Sequence, residues 1–194
     1  MNNTEPKTRC PWCLGDAVYT RYHDREWGTP LKNSRKLLEF LILDGAQAGL
    51  SWLTILKRRD GYRAAFDGFD PETIARYGKK DEARLLKDPR IIRNRLKISS
   101  AIGNARAYCA MKEAGEDLSK WLWKYVDGKP IVNHWKTLAE IPASTELSER
   151  ISKELKKKGF SFVGPTIIYA FLQASGLVND HLVDCFRWSA VQNL

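Results

Sequence analysis

Apolar residues in this chain recur at three- and four-residue intervals far more often than at alternate positions, the mark of helices that bury one face. Leu37, Leu38, Leu41 and Ile42 form one stripe, with Ser34 as its cap, and Trp52, Ile55 and Leu56 begin another after Gly49. Asp70-Pro71 opens a third, a capping carboxylate followed by a proline at the first helical position. Further helices are expected from Asp81 to Lys87, Pro89 to Met111, Leu118 to Tyr125 and Thr145 to Lys158, the last stopped by Gly159. A strong final one runs from Pro165 to Ala174 and is closed by Gly176. Strand-like patterns are confined to Ala17 to Thr20 and Ile131 to Val132, so the fold class is all-α. With no repeat or low-complexity linker, and Val126 to Lys136 as the longest polar connection, residues 1–194 read as a single domain.

Composition adds that the chain folds: 43% of its 194 residues are hydrophobic and 11% aromatic, enough for one sizeable core. No apolar run reaches bilayer length, and Met1 to Arg9 is polar without the apolar segment of a secretory signal. A cytoplasmic location, no membrane partner and reduced thiols at Cys10, Cys13, Cys109 and Cys185 are the corresponding expectations. Cys109, between small and aromatic residues on a helix, reads as core, and His134 as a loop histidine. Lys and Arg outnumber Asp and Glu by 32 to 23, a formal +9 that favours a polyanionic partner but also describes an ordinary solvated face.

The histidines and cysteines carry more. In N-D-H-L-V-D-C, His181 and Cys185 are four apart, a spacing that stacks them on one face of a helix, and a tetrahedral site needs two further ligands. Candidates lie at the opposite end: Cys10 and Cys13 in R-C-P-W-C, and His23 in Y-H-D-R-E-W-G. Cys10, His23, His181 and Cys185 make a Cys2His2 set, closed to water and therefore structural, that would staple the two ends together. A rival reading takes His23-Asp24 and Asp180-His181 as the metal site of an HD phosphohydrolase, with nitrogen and oxygen ligands and open positions.

Lys156 to Phe171, K-K-K-G-F-S-F-V-G-P-T-I-I-Y-A-F, reads as helix, glycine-bounded hairpin, helix. Gly159 suits a left-handed helix stop, Gly164 a close backbone approach, and Pro165 leaves neighbouring N–H groups free at a positive helix end, an arrangement that suits phosphate. The pattern is similar to the helix-hairpin-helix DNA-binding motif, here spanning about residues 145–175. Arg93 to Lys97, R-N-R-L-K, adds either a DNA contact or an exposed helix face.

Y-H-D-R-E-W-G, D-G-A-Q-A-G-L-S-W, I-G-N-A-R-A and G-F-S-F-V-G-P-T followed by G-L-V-N-D-H, in that order and spacing, resemble the 3-methyladenine DNA glycosylase I family over nearly the whole chain. The resemblance implies a helix-hairpin-helix glycosylase fold and a base excision enzyme that hydrolyses the N-glycosidic bond of 3-methyladenine in alkylated double-stranded DNA, acting as a monomer. It implies one structural Zn²⁺ on Cys10, His23, His181 and Cys185, with Cys13 left as a bystander or substitute. It also implies a base pocket from Tyr19, Tyr22, Trp27 and Trp52 with Asp44 as its carboxylate, and Gln47 bonding the base or its neighbours. Gly49 and Leu50 would then serve as a backbone contact or an apolar wedge, and Lys158, Gly159, Val163, Gly164 and Thr166 as the phosphate-binding hairpin. The chain departs from the pattern at Asp44, where the family usually has Glu. A non-catalytic, zinc-stapled DNA-binding module is the alternative from another class.

Overall fold

The computed structural model describes residues 7–194, so Met1 to Pro6 of the polar start lie outside the described residues. The first helix, α1 (Ala17–Arg25), stands where Ala17 to Thr20 suggested a strand. The reason is local: the Asp16 carboxylate accepts from the Val18 and Tyr19 amides and caps the segment as a helix. Next comes α2 (Ser34–Gln47), capped by Asn33 rather than Ser34, whose hydroxyl instead donates to Asp117 at 2.6 Å and accepts from the Ser119 amide.

Two short helices follow, α3 (Trp52–Leu56), capped by Ser51, and α4 (Arg59–Ala65), which is too short to leave a periodic stripe in the sequence. Then come α5 (Pro71–Ala75), under the Asp70 cap, and α6 (Lys79–Lys87). The long α7 (Arg95–Glu113) starts six residues later than Pro89, because the Asn94 side chain accepts from the Lys97 amide and sets the cap there. After α8 (Leu118–Trp123) lie α9 (Glu146–Lys157) and α10 (Pro165–Ala174), close to the expected bounds. A last helix, α11 (Phe186–Ala190), has no counterpart in the sequence reading. Among the described residues the architecture is helical apart from one two-stranded parallel pairing, β1 (Ile131–Val132) with β2 (Val178–Asn179), in register Ile131 to Val178 and Val132 to Asn179.

The core is organised around α2, whose residues from Leu37 to Ala46 are all buried. A helix enclosed on every side needs apolar partners all round, and α3, α7, α8 and α10 pack against it. Burying Gly45 brings the hairpin between α9 and α10 close, since a Cβ there would lie 3.2 Å from the Phe162 Cβ. At the end of α10 the chain turns at Gly176, with φ +71°, directly against the link from α1 to α2. A Cβ at Gly176 would sit 2.4 Å from the Thr29 carbonyl carbon, a backbone clash that no rotamer relieves. Gly176→Ala is therefore expected to cost about 1–3 kcal/mol or more, read as a lower thermal midpoint.

A buried Cys/His cluster beside an aromatic cavity

His181 and Cys185 lie in the irregular segment between β2 and α11, not on a helix, yet they converge. Cys185 is the residue before α11, and its sulfur accepts from the Arg187 amide, so the start of that helix fixes the thiol. His23 comes from α1, and Cys10 precedes a short 3-10 turn at Pro11–Cys13. The four ligand atoms lie within 4.8 Å of one another, and all four residues are buried. Cys10 Sγ is 3.7 Å from His181 Nδ1, Cys185 Sγ is 3.4 Å from His23 Nε2, and 3.6 Å from His181 Nδ1.

The remaining ring nitrogens are held from outside. His23 Nδ1 pairs with Asp24 Oδ1 at 2.9 Å, and His181 Nε2 with the Trp27 carbonyl at 3.1 Å. Desolvation pushes Asp24 up, but hydrogen bonds from Arg9 and His23 outweigh it and hold the carboxyl below its ordinary range. The neighbouring Cys185 sulfur and burial raise the Cys10 thiol, while Cys10, His181 and His23 together hold Cys185 below the usual thiol range. Two sulfurs and two imidazoles with oriented outer nitrogens form a donor set that can hold a metal ion. Cys13 stands outside it: its thiol donates to the Cys10 carbonyl at 3.1 Å, and burial pushes it up to about 11.

The HD phosphohydrolase reading fails on the carboxylates. Asp24 is turned to Arg9 and His23, and Asp180 is wholly engaged by Asn133, Trp135, Tyr169 and Gln173. Neither faces the cluster as a ligand.

The cluster's histidines pack against Trp12 and Trp27, two of the rings that line a cavity of about 230 Å³. Trp27 meets His181 edge-on at 4.5 Å between ring centres, and Trp12 meets Trp27 at 5.0 Å and Tyr19 at 4.8 Å. Tyr22 and Trp52 form a second pair, tilted at 5.6 Å. Asp44 and Gln47 of α2 join them, with Ile141, Ala170, Gln173 and Ala174 completing the lining. All of Tyr19, Tyr22, Trp27, Trp52, Asp44 and Gln47 thus come together as expected, while Trp12 and Gln173 escaped the sequence reading. Trp12 had one signal, its place between Cys10 and Cys13 in R-C-P-W-C.

Three buried polar atoms of this lining have no hydrogen-bond partner among the described residues: Tyr22 Oη, Asp44 Oδ2 and Trp52 Nε1. Leaving such a group unpaired costs about 1–3 kcal/mol each, so they mark a place where a ligand's polar edge belongs. Burial alone pushes the Asp44 carboxyl well above its ordinary range. Burial also raises Tyr22, with Asp44 adding to the shift.

The hairpin residues divide. Gly159 takes φ +89°, the left-handed helix stop expected of it, and Gly164 caps α10 in an extended conformation. The side chain of Val163 is core, so only its backbone is available, and its carbonyl already accepts from Ser152 at 2.6 Å. Thr166 is exposed in the first turn of α10. Lys158 differs from a free phosphate ligand: its ammonium pairs with Glu116 and lies 5.6 Å over the Trp121 ring. Lys97 is no exposed DNA contact either, since Nζ donates to the Ala46 and Ala48 carbonyls, both at 2.7 Å, and caps the end of α2. There it shapes the turn to Gly49, with φ +75°, and Leu50, which is 38% exposed. Gln47 reinforces the turn by donating to the Leu50 carbonyl. Cys109 is half-buried in a surface groove rather than core, and His134 is exposed with its ring edge against Trp188.

A family model described as methyladenine glycosylase matches residues 12–188. The DNA-3-methyladenine glycosylase 1 of Escherichia coli K12 is 52% identical over 177 residues, covering 91% of this chain and 95% of that protein. A crystal structure of a 3-methyladenine DNA glycosylase I superposes with a TM-score of 0.91 at 51% identity, covering 92% of this chain and 98% of the other. The Staphylococcus aureus enzyme, whose structure addresses the basis of 3-methyladenine recognition, gives 0.89 at 39% identity and covers 92% and 95%.

The unpaired carboxyl has a measurable signature. A folded-state pKa above the unfolded value means that stability is fully present below the unfolded value and is lost as pH rises through the folded one. Asp44→Asn keeps the shape without the ionisable proton, so it is expected to raise stability at pH 8 by about 1–3 kcal/mol. Thermal melting from pH 4 to pH 8 should show that advantage shrinking toward the acid end.

Proposed function

The chain belongs to the methyladenine glycosylase family, and we propose that the aromatic cavity with Asp44 in its lining is where its excised base is held. The protein is a DNA glycosylase of base excision repair that releases 3-methyladenine. The observation that carries the site assignment is the set of three unpaired polar atoms, two donor-capable and one carboxyl, in a cavity otherwise walled by rings. Its volume lies below the roughly 300–1,000 Å³ of ordinary ligand clefts, a size suited to a single planar base.

Methylation at N3 leaves adenine formally cationic in DNA. Electron-rich ring faces attract that charge by about 0.5–2 kcal/mol per desolvated contact, beyond stacking. A carboxylate accepting hydrogen bonds from the base edge adds to it, and normal adenine offers less to both. Asp44 is one methylene shorter than the usual Glu and still lines the cavity.

The same charge sets the reaction. Once the nucleotide is extruded from the duplex, the C1′–N9 bond breaks with its electron pair passing to the already cationic base, and water bonds to C1′ and gives up a proton. Such a leaving group needs no general acid, which agrees with a chain that has no carboxylate in α10 and keeps Asp180 occupied by four donors. The hydrolysis is monofunctional, without a lysine Schiff base.

Alkylated duplex DNA is gripped by two devices in this reading. The exposed Leu50, presented by the Lys97-capped turn, wedges into the gap left by the extruded nucleotide. The α9–α10 hairpin is a helix-hairpin-helix element that meets phosphate with backbone N–H groups, the first α10 amide tied back being that of Ile168. The enzyme works as one domain and as a monomer.

Zn²⁺ is the metal that suits the cluster. Bond lengths of about 2.3 Å to sulfur and 2.0–2.1 Å to nitrogen give tetrahedral S···N edges near 3.5 Å, and three of the four S···N separations are 3.4–3.7 Å. With Cys10, His23, His181 and Cys185 as ligands it supplies folding free energy and no chemistry, because no position is open to water.

Asp44→Asn is expected to lower excision of 3-methyladenine about 10- to 100-fold while leaving duplex affinity intact, measured as free base released from alkylated DNA. Duplex binding by the unmodified protein without any base release would favour the non-catalytic module instead. Elemental analysis should find about one zinc per chain. Cys185→Ser should lose that zinc and lower the melting temperature; full zinc content in that variant contradicts the ligand set.

A further inference from the structure

Gln173 of α10 lines the cavity, and its Nε2 donates to Asp180 Oδ2 at 2.7 Å. Asp180 is buried and receives three more donors: Asn133 Nδ2 at 2.7 Å and Trp135 Nε1 at 2.8 Å on Oδ1, and the Tyr169 hydroxyl at 2.5 Å on Oδ2. An indole nitrogen can only donate, so Oδ1 accepts. With two donors on each oxygen, Asp180 accepts at both ends. A glutamine amide facing such a group has one allowed sense, nitrogen inward. Its Oε1 is then turned away from Asp180, and among the described residues no donor is paired with it. The backbone at this point is equally fixed, because the Gln173 carbonyl accepts from the Gly28 and Gly176 amides.

A glutamine in a binding site ordinarily adapts by reversing its amide to suit either a donor or an acceptor. Here the reversal would set the carbonyl oxygen against a saturated carboxylate. We infer that Gln173 is a specificity-determining residue that offers the cavity a carbonyl acceptor of fixed sense, and that Asp180 is the positioning residue that locks it. Together with Asp44 it gives two acceptors, which suits a purine with an exocyclic amine carrying two hydrogens. A 6-oxo purine would turn an acceptor toward them. The locked amide therefore selects 6-amino over 6-oxo methylated purines, an inference that rests on the cavity being the base site.

The test is the affinity of purified variants for free 3-methyladenine and free 3-methylguanine, by calorimetry, with thermal melting recorded for each variant. Gln173→Met keeps length and volume but removes the carbonyl, and should narrow the preference for 3-methyladenine about tenfold. Asp180→Asn unlocks the amide and should narrow the preference as well; should that variant fail to fold, Gln173→Met decides alone. An unchanged ratio in Gln173→Met, or an equal loss of affinity for both bases, overturns the inference. Asp44→Asn separates the two levels: loss of base binding there with an unchanged ratio in Gln173→Met sinks only the inference, whereas unchanged base binding in Asp44→Asn sinks the cavity reading and the inference with it.

Discussion

Everything at the active end of this molecule hangs on the meeting of Cys10, His23, His181 and Cys185, which brings two short terminal segments against α1. What the meeting positions is the aromatic wall: His181 holds the Trp27 carbonyl through Nε2 and packs against the Trp27 ring, while Trp12 lies two residues from Cys10 and touches His23, Tyr19 and Trp27. The close pass of Gly28 is part of the same constraint, since a Cβ there would come within 2.8 Å of His181 Nε2. A metal ion held by these four residues would therefore shape the cavity without taking part in chemistry, because rings that line the cavity also pack on the cluster's histidines.

A second part of the lining depends on different forces. Asp44 is carried by a helix buried on every side, so its carboxyl is held in a dry setting that a surface helix would not provide. The unsatisfied groups of Asp44, Tyr22 and Trp52 are a stability cost, which the proposed base site would explain as the usual relation between active sites and the folds that carry them. The hairpin is stiffened in turn by Asn104, which both accepts from and donates to the Ser161 backbone, so one side chain of α7 fixes the hairpin's register. Asp180 does the same across the β1–β2 pairing by collecting Asn133, Trp135, Tyr169 and Gln173.

The long apolar patterns of α2, α9 and α10 were legible because several turns of apolar spacing average out local exceptions. Helices of five to seven residues, α4 and α11, gave too few repeats to register. The strand-like V-Y-T of α1 misled because the deciding feature was one capping carboxylate, Asp16. At the site, the ligand set and most of the cavity followed from the family motifs, as long, ordered patterns can. Trp12 and Gln173 did not, since a lone ring or amide has no spacing to mark it. Lys97 and Lys158 were read as free charges, and tertiary partners, backbone carbonyls in one case and Glu116 in the other, had claimed both.

The account's central claim is that a carboxyl kept dry inside a ring-lined cavity becomes the acceptor for a methylated purine. The most direct measurement is a carbon-13 pH titration of the Asp44 carboxyl, assigned against Asp44→Asn, in the free protein and with saturating 3-methyladenine. The account predicts a group that titrates well above ordinary carboxylates when the cavity is empty and shifts downward when base N–H groups donate to it. An ordinary titration in the free protein that the ligand leaves unmoved would contradict it.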